Sequence, residues 1–298
     1  MKLVVQHNWT SGLGDLYCAC TEYLTFIKPL KKLGYETELI FCFNGFSKTN
    51  DYIGLNSFDK IFDTKSFKLF DKISVRNYPI GDLEYNGTKY YHTQYGPTTP
   101  GQHWWDIYFD IVPDNIIFPN YGPQSFLQYK FKELTTPKFN NEVYKRVNKV
   151  KKKLSLNHNF IQIRHFDTKI PDNNFIKYID ELYSLLMNSQ ETYHLGSNSP
   201  YVNDKFSSLN NVFQYTFKNL ELFSNDHPYY QYNKHISNEM LLDRLYDNIA
   251  EMVLVSKAKN IYQYSSFSWI SNFLFYGFLN RKTELNFKII NNDLSFLK

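Results

Sequence analysis

One pattern is written into both halves of this chain, and it limits the fold more than anything else: a short apolar run, a polar turn, then an amphipathic helix. In the first half "MKLVVQHNW" reads as a strand and "SGLGD" (11–15) as a tight glycine turn. Leu16 to Leu33 reads as a helix stopped by Gly34, and "ETELIFCF" as a second strand. In the second half "NFIQIR" (159–164) leads to a helix over 174–188 and a strand "ETYHLGS" (191–197). A helix over 239–257 follows, then the strand "KNIYQY" (259–264), the serine turn "SSFS" (265–268) and a helix from Trp269 to Phe278. Strands alternating with helices imply parallel sheets covered by helices. Residues 46–75 repeat the theme less clearly, and 200–238 carry little pattern.

The composition shifts at "ELTTPKFNN" (133–141), just before a lysine-rich helical stretch. This predicts two α/β domains, 1–138 and 139–298, which 298 residues are enough to supply with separate cores. Loops at the strand ends of two such domains would face a cleft, and ligands of open α/β sheets bind outside the carboxyl ends of the strands.

Charge narrows the class of partner. The net charge of +4 is too small for a dedicated nucleic-acid binder, and the one dense basic run, "KRVNKVKKKL" (145–154), reads as a solvated helix face. A mild positive excess suits small anions such as nucleotide diphosphates. No nucleic-acid partner is expected. Cys18, Cys20 and Cys42 are too few for a structural zinc site, and their odd count suits a reducing compartment. With no secretory leader and no apolar run of about 20 residues, the expectation is a cytoplasmic protein without membrane insertion.

Three strand-to-helix turns carry chemistry. At Gly12-Leu13-Gly14 the backbone can approach a ligand closely and the next helix offers free N–H groups to an anion, although a plain tight turn has the same composition. Arg164 ends a strand, where its planar fork can hold two phosphate oxygens or form a salt bridge with a neighbour such as Asp167. Ser265 and Ser266 precede a helix and can cradle an anion or simply cap that helix.

Taken in order, "GLGD", "QIRHFD", "GSNSP" (196–200) and "SSFS" resemble the motifs of GT-B glycosyltransferases of the fucosyltransferase superfamily, the group with α1,2-, α1,6- and protein O-fucosyltransferases. The stretch "LYDNIAEMVLVSKAKNIYQYSSFSWISNFL" resembles that group's last motif region. The resemblance covers about half the chain, mostly its C-terminal half. It implies a GT-B-like α/β fold and inverting, metal-independent transfer of a sugar, first of all fucose from GDP-fucose, to a glycan or glycoside hydroxyl. The nucleotide sugar is then a co-substrate, and no further cofactor is implied.

Residue by residue, the resemblance puts Arg164 on the donor diphosphate, with His165 and Asp167 beside it. Gly12, Leu13, Gly14, Ser197, Asn198, Ser265, Ser266 and Phe267 complete the donor site. Asp172 falls where α1,6-type relatives carry a glutamate thought to act as base, and the same residue reads equally as the cap of the following helix. The pattern is degraded: Gln162 replaces a histidine, His165 a second arginine, and Asn198 and Ser199 two acids. A non-catalytic sugar-nucleotide or glycan-binding module of the same fold is therefore the alternative. His103 and Trp104 are weak candidates for the acceptor side, where tryptophan can stack on a sugar. The chain has no Asp-x-Asp, which disfavours a metal-dependent scheme.

Overall fold

The structure is a computed structural model. It describes residues 2–8, 13–32, 34–42, 58–76, 84–85, 88–89, 91–92, 115–120, 135–151, 154, 158–164, 172–197, 199–215, 237–265, 286–290 and 294–297. The chain divides into two compact units, Met1–Asn140 and Asn141–Lys298.

The first unit holds β1 (Lys2–Asn8), α1 (Leu13–Lys32), β2 (Glu36–Cys42), β3 (Lys72–Arg76), β4 (Glu84–Tyr85), β5 (Thr88–Lys89), β6 (Tyr91–His92) and β7 (Asn115–Asn120). Its main sheet has the order β3-β2-β1-β7-β6, and every pair in it is parallel. β4 and β5 form a small antiparallel pair. Val4 and Val5 on β1 point to opposite faces, and both are fully buried, as a central parallel strand covered on both sides requires.

Aromatic side chains fill this core. Tyr17 on α1 stacks on Phe139 with ring centroids 5.1 Å apart, and Phe139 stacks on Phe62 at 5.6 Å. Phe67 then bridges Phe62 and Phe41. Phe139 is fixed by its backbone, because Asp63 N–H donates to Lys138 O and Asn140 N–H to Ile61 O, each at 2.9 Å.

The second unit holds α2 (Asn141–Lys151), β8 (Asn159–Arg164), α3 (Asn173–Met187), β9 (Tyr193–Ser197), α4 (Pro200–Phe206), β10 (Val212–Gln214), α5 (Asn238–Val255), β11 (Asn260–Ser265) and β12 (Asn286–Ile289). Its sheet is also parallel throughout, in the order β10-β9-β8-β11-β12. One face packs Ile161, Ile163, Leu195 and the rings of Phe175 and Tyr178 into a single apolar cluster with α3 and α4. Behind the other face, α2 and α5 are joined by Arg146. Its guanidinium donates to Asp247 Oδ1 at 2.7 Å, to Asp243 O at 2.9 Å and to the Asp243 carboxylate.

Several elements differ from the sequence expectation. α1 opens at Leu13, so Leu13 and Gly14 lie in its first turn and not in a loop. The first N–H groups of a helix lack partners within it, which makes a glycine there less costly than in the interior. Gly34 does end the segment in the left-handed region, at φ 83°, where a side chain would be strained. β9 starts at Tyr193, not residue 191. α4 and β10 occupy part of a stretch expected to be featureless: a helix of 7 residues and a half-buried strand of 3 are too short to show a period. β12 was not expected, and the helix expected from Trp269 to Phe278 lies outside the described residues.

Candidate functional site

Sheet order defines where a ligand is most easily held in the second unit. From β8 the chain moves outward to β9 and β10, then returns through α5 to β11 on the opposite side of β8. The β8/β11 boundary is therefore the topological switch point, the place in an open α/β sheet where ligands are held outside the carboxyl ends of the strands. The register places Arg164 opposite Ser265 across this boundary, and Tyr264 opposite Ile163. On the other flank Ile163 pairs with Ser197. Three of the residues singled out from the sequence, Arg164, Ser197 and Ser265, thus end three adjacent strands along one edge.

Ser197 begins a hydrogen-bonded turn. Ser199 N–H donates to its Oγ at 3.1 Å, and Asn203 Nδ2 donates to its carbonyl oxygen at 3.4 Å. Gln214 Nε2 in turn donates to Asn203 O at 3.0 Å, tying the turn to β10. Gly196, one residue earlier, lies against the Phe160 ring, whose carbons would stand 3.1 and 3.2 Å from an added Cβ. A side chain at this position would have to push the Phe160 ring back by a few tenths of an ångström.

Asp172 caps α3. Its Oδ1 accepts from Phe175 N–H at 2.8 Å, and its carbonyl oxygen accepts from Ile176 N–H at 2.9 Å. The side chain is exposed, and among the described residues Oδ2 has no hydrogen-bond partner. Phe175 then meets Tyr264, with ring centroids 5.6 Å apart, and Tyr178 stacks on Tyr264 at 4.6 Å. Burial pushes the Tyr264 phenol above its ordinary range, and the Asp172 carboxylate pushes it further the same way. Tyr264 escaped the sequence reading because a tyrosine inside a strand looks like any other core aromatic. Its only signal was its place directly before the serine turn.

A second group missed from the sequence is buried deeper. His194 on β9 is fully enclosed, with Nε2 3.3 Å from Glu251 Oε1 on α5 and its ring 5.0 Å from that of Phe160. This pair is buried and joins α5 to β9 behind Gly196.

In the first unit the switch point lies between β1 and β7, with His7 opposite Asn120. Leu13 and Gly14 open α1 just beyond the carboxyl end of β1. Gly12, His103, Trp104, His165, Asp167, Asn198, Ser266 and Phe267 lie outside the described residues, as do the side chains of Arg164 and Ser265. Among the described residues no group of three or more His, Cys, Asp or Glu side chains comes together, and no helix is long and apolar enough to cross a membrane.

No protein-family model matches the chain, and no curated protein matches it. Two solved structures are similar to it over nearly their whole length. One is a NodZ alpha-1,6-fucosyltransferase soaked with GDP-fucose: 16% identity, a TM-score of 0.53, covering 99% of this chain and 96% of that one. The other is NodZ alpha-1,6-fucosyltransferase co-crystallized with GDP, at 15% identity and a TM-score of 0.50, covering 94% and 92%. At such identity the likeness concerns the fold. The chain has a GT-B-like α/β fold built from two Rossmann-like units, each with a parallel sheet.

Proposed function

We propose that this chain is an inverting, metal-independent glycosyltransferase that moves a sugar, in the first instance fucose from GDP-fucose, to a hydroxyl of a glycan or glycoside. The observation that carries this reading is the meeting of Arg164 and Ser265 at the carboxyl-edge switch point of the second sheet. Donor binding is assigned to the second unit and acceptor binding to the first. The GDP-fucose and GDP of the similar solved structures support the choice of donor.

In the proposed reaction the acceptor hydroxyl oxygen attacks the anomeric carbon. The bond from that carbon to the phosphate oxygen breaks, and the diphosphate leaves with the electron pair. Single displacement inverts the centre. Arg164 meets the growing negative charge on the leaving group, with help from the backbone N–H groups and hydroxyls after β11 and from the 165–167 segment. Asp172 takes the acceptor proton. Its Oδ1 is held by Phe175 N–H, which leaves Oδ2 to receive it.

The reading is tested by a thermal-shift panel of GDP-, UDP- and CMP-sugars, because a ligand that binds only the folded chain raises its melting temperature by mass action. GDP-fucose is expected to give the largest rise. A panel in which no nucleotide sugar moves the transition overturns the reading.

A further inference from the structure

Three buried tyrosines of the second unit, Tyr178, Tyr193 and Tyr215, spend their hydroxyls inside the protein. Tyr178 donates to Ile290 O at 3.3 Å, Tyr215 to Asp247 Oδ1 at 3.1 Å, and Tyr193 and Ser189 share a hydrogen bond of 3.0 Å. Tyr264 does otherwise. Its ring is packed on two sides, and its hydroxyl makes no hydrogen bond among the described residues.

The position of this hydroxyl is set by its neighbours. Tyr264 is the penultimate residue of β11, adjacent to the Ser265–Arg164 pair at the switch point. Tyr178, which stacks on it, is itself tied to Ile290, so the phenol cannot swing aside without breaking that packing. The Asp172 carboxylate belongs to the same cluster through Phe175, which it caps and which touches the Tyr264 ring. Burial and the Asp172 charge keep the phenol protonated, so it acts as a hydrogen-bond donor. The Tyr264 O–H and the Asp172 carboxylate, linked through Phe175, offer a donor and an acceptor in one cluster. Neighbouring hydroxyls satisfy both, whereas a phosphate placed there would be repelled by Asp172.

We infer that Tyr264 is a specificity residue for the transferred sugar, its hydroxyl donating to a sugar oxygen beside Asp172 while the diphosphate lies at the Arg164–Ser265 edge. This rests on the nucleotide-sugar reading proposed above.

Isothermal titration of the parent chain and Tyr264→Phe with GDP-fucose and with GDP tests it. Phenylalanine keeps the ring stack and removes only the O–H. The variant is expected to melt like the parent, bind GDP equally well and bind GDP-fucose roughly 3–10-fold more weakly, the usual range for one neutral hydrogen bond. Equal loss for both ligands would move the contact to the nucleotide, and no loss for either would leave the hydroxyl without a role; each overturns the inference while the donor reading stands. A parent chain that binds neither ligand defeats the donor reading, and this inference with it.

Discussion

Arg164 and Ser265 face each other across the β8/β11 boundary, each the last residue of its strand. Their adjacency joins two sequence motifs about a hundred residues apart into a single edge, and the first prediction concerns that edge. Arg164→Ala is expected to weaken nucleotide-sugar binding by about 1.5–3 kcal/mol, the worth of a hydrogen bond to a charged group. Arg164→Lys should recover only part of this, since lysine keeps the charge and loses the fork. Titration calorimetry decides it: an alanine variant with parent affinity removes Arg164 from the diphosphate.

Asp172 separates two roles by substitution. Asparagine caps a helix about as well as aspartate but accepts no proton. Asp172→Asn should therefore keep its melting temperature and donor affinity while turnover falls roughly 10²–10⁴-fold. Asp172→Ala should also lose about 1 kcal/mol of stability with the cap. If the asparagine variant turns over like the parent, Asp172 is only a cap.

Metal dependence is read directly from turnover in excess EDTA. The proposed scheme draws its positive charge from Arg164, so the rate should persist unchanged. A rate lost in chelator and restored by Mg²⁺ or Mn²⁺ would place a cation at the leaving group.

The Arg146 network makes a prediction about stability alone. Its side chain is 13% exposed and that of its partner Asp247 5% exposed, so Arg146→Ala takes the compensating positive charge from a buried carboxylate that Tyr215 also contacts. A loss of about 3–5 kcal/mol in chemical denaturation is expected, as for other half-broken buried pairs. Arg146→Ala together with Asp247→Ala should be less damaging than the sum of the two single changes, a comparison made by a double-mutant cycle.

Local features of the fold were legible in the sequence, and long-range ones were not. The apolar run 159–164 matches β8 residue for residue, because a strand buried on both faces is nearly continuous in its hydrophobicity and the arginine marks its exit. Gly34 marked the end of α1 because its left-handed φ leaves a compositional trace. The opening of α1 was set too late because glycines were read as turn residues. α4 and β10 were invisible at their lengths. Parallel pairing followed from alternation, but no local pattern says that β11 inserts beside β8 or β7 beside β1. The Tyr264 cluster depends on that insertion, because Phe175 and Tyr178 reach the ring only once β11 lies next to β8.

The insertion of β11 also governs how the chain can be made. Asn159 and Asn260, at the starts of β8 and β11, hydrogen-bond side chain to side chain although 101 residues separate them. A ribosome adding about 5–20 residues per second leaves β8 with one open flank for on the order of 5–20 s before its neighbour emerges. During that interval an apolar strand with unpaired N–H and C=O groups is a template for other nascent chains. Yield of the native protein should therefore fall as that interval lengthens and rise with chaperones that shield β8, more than it follows the final stability of the fold.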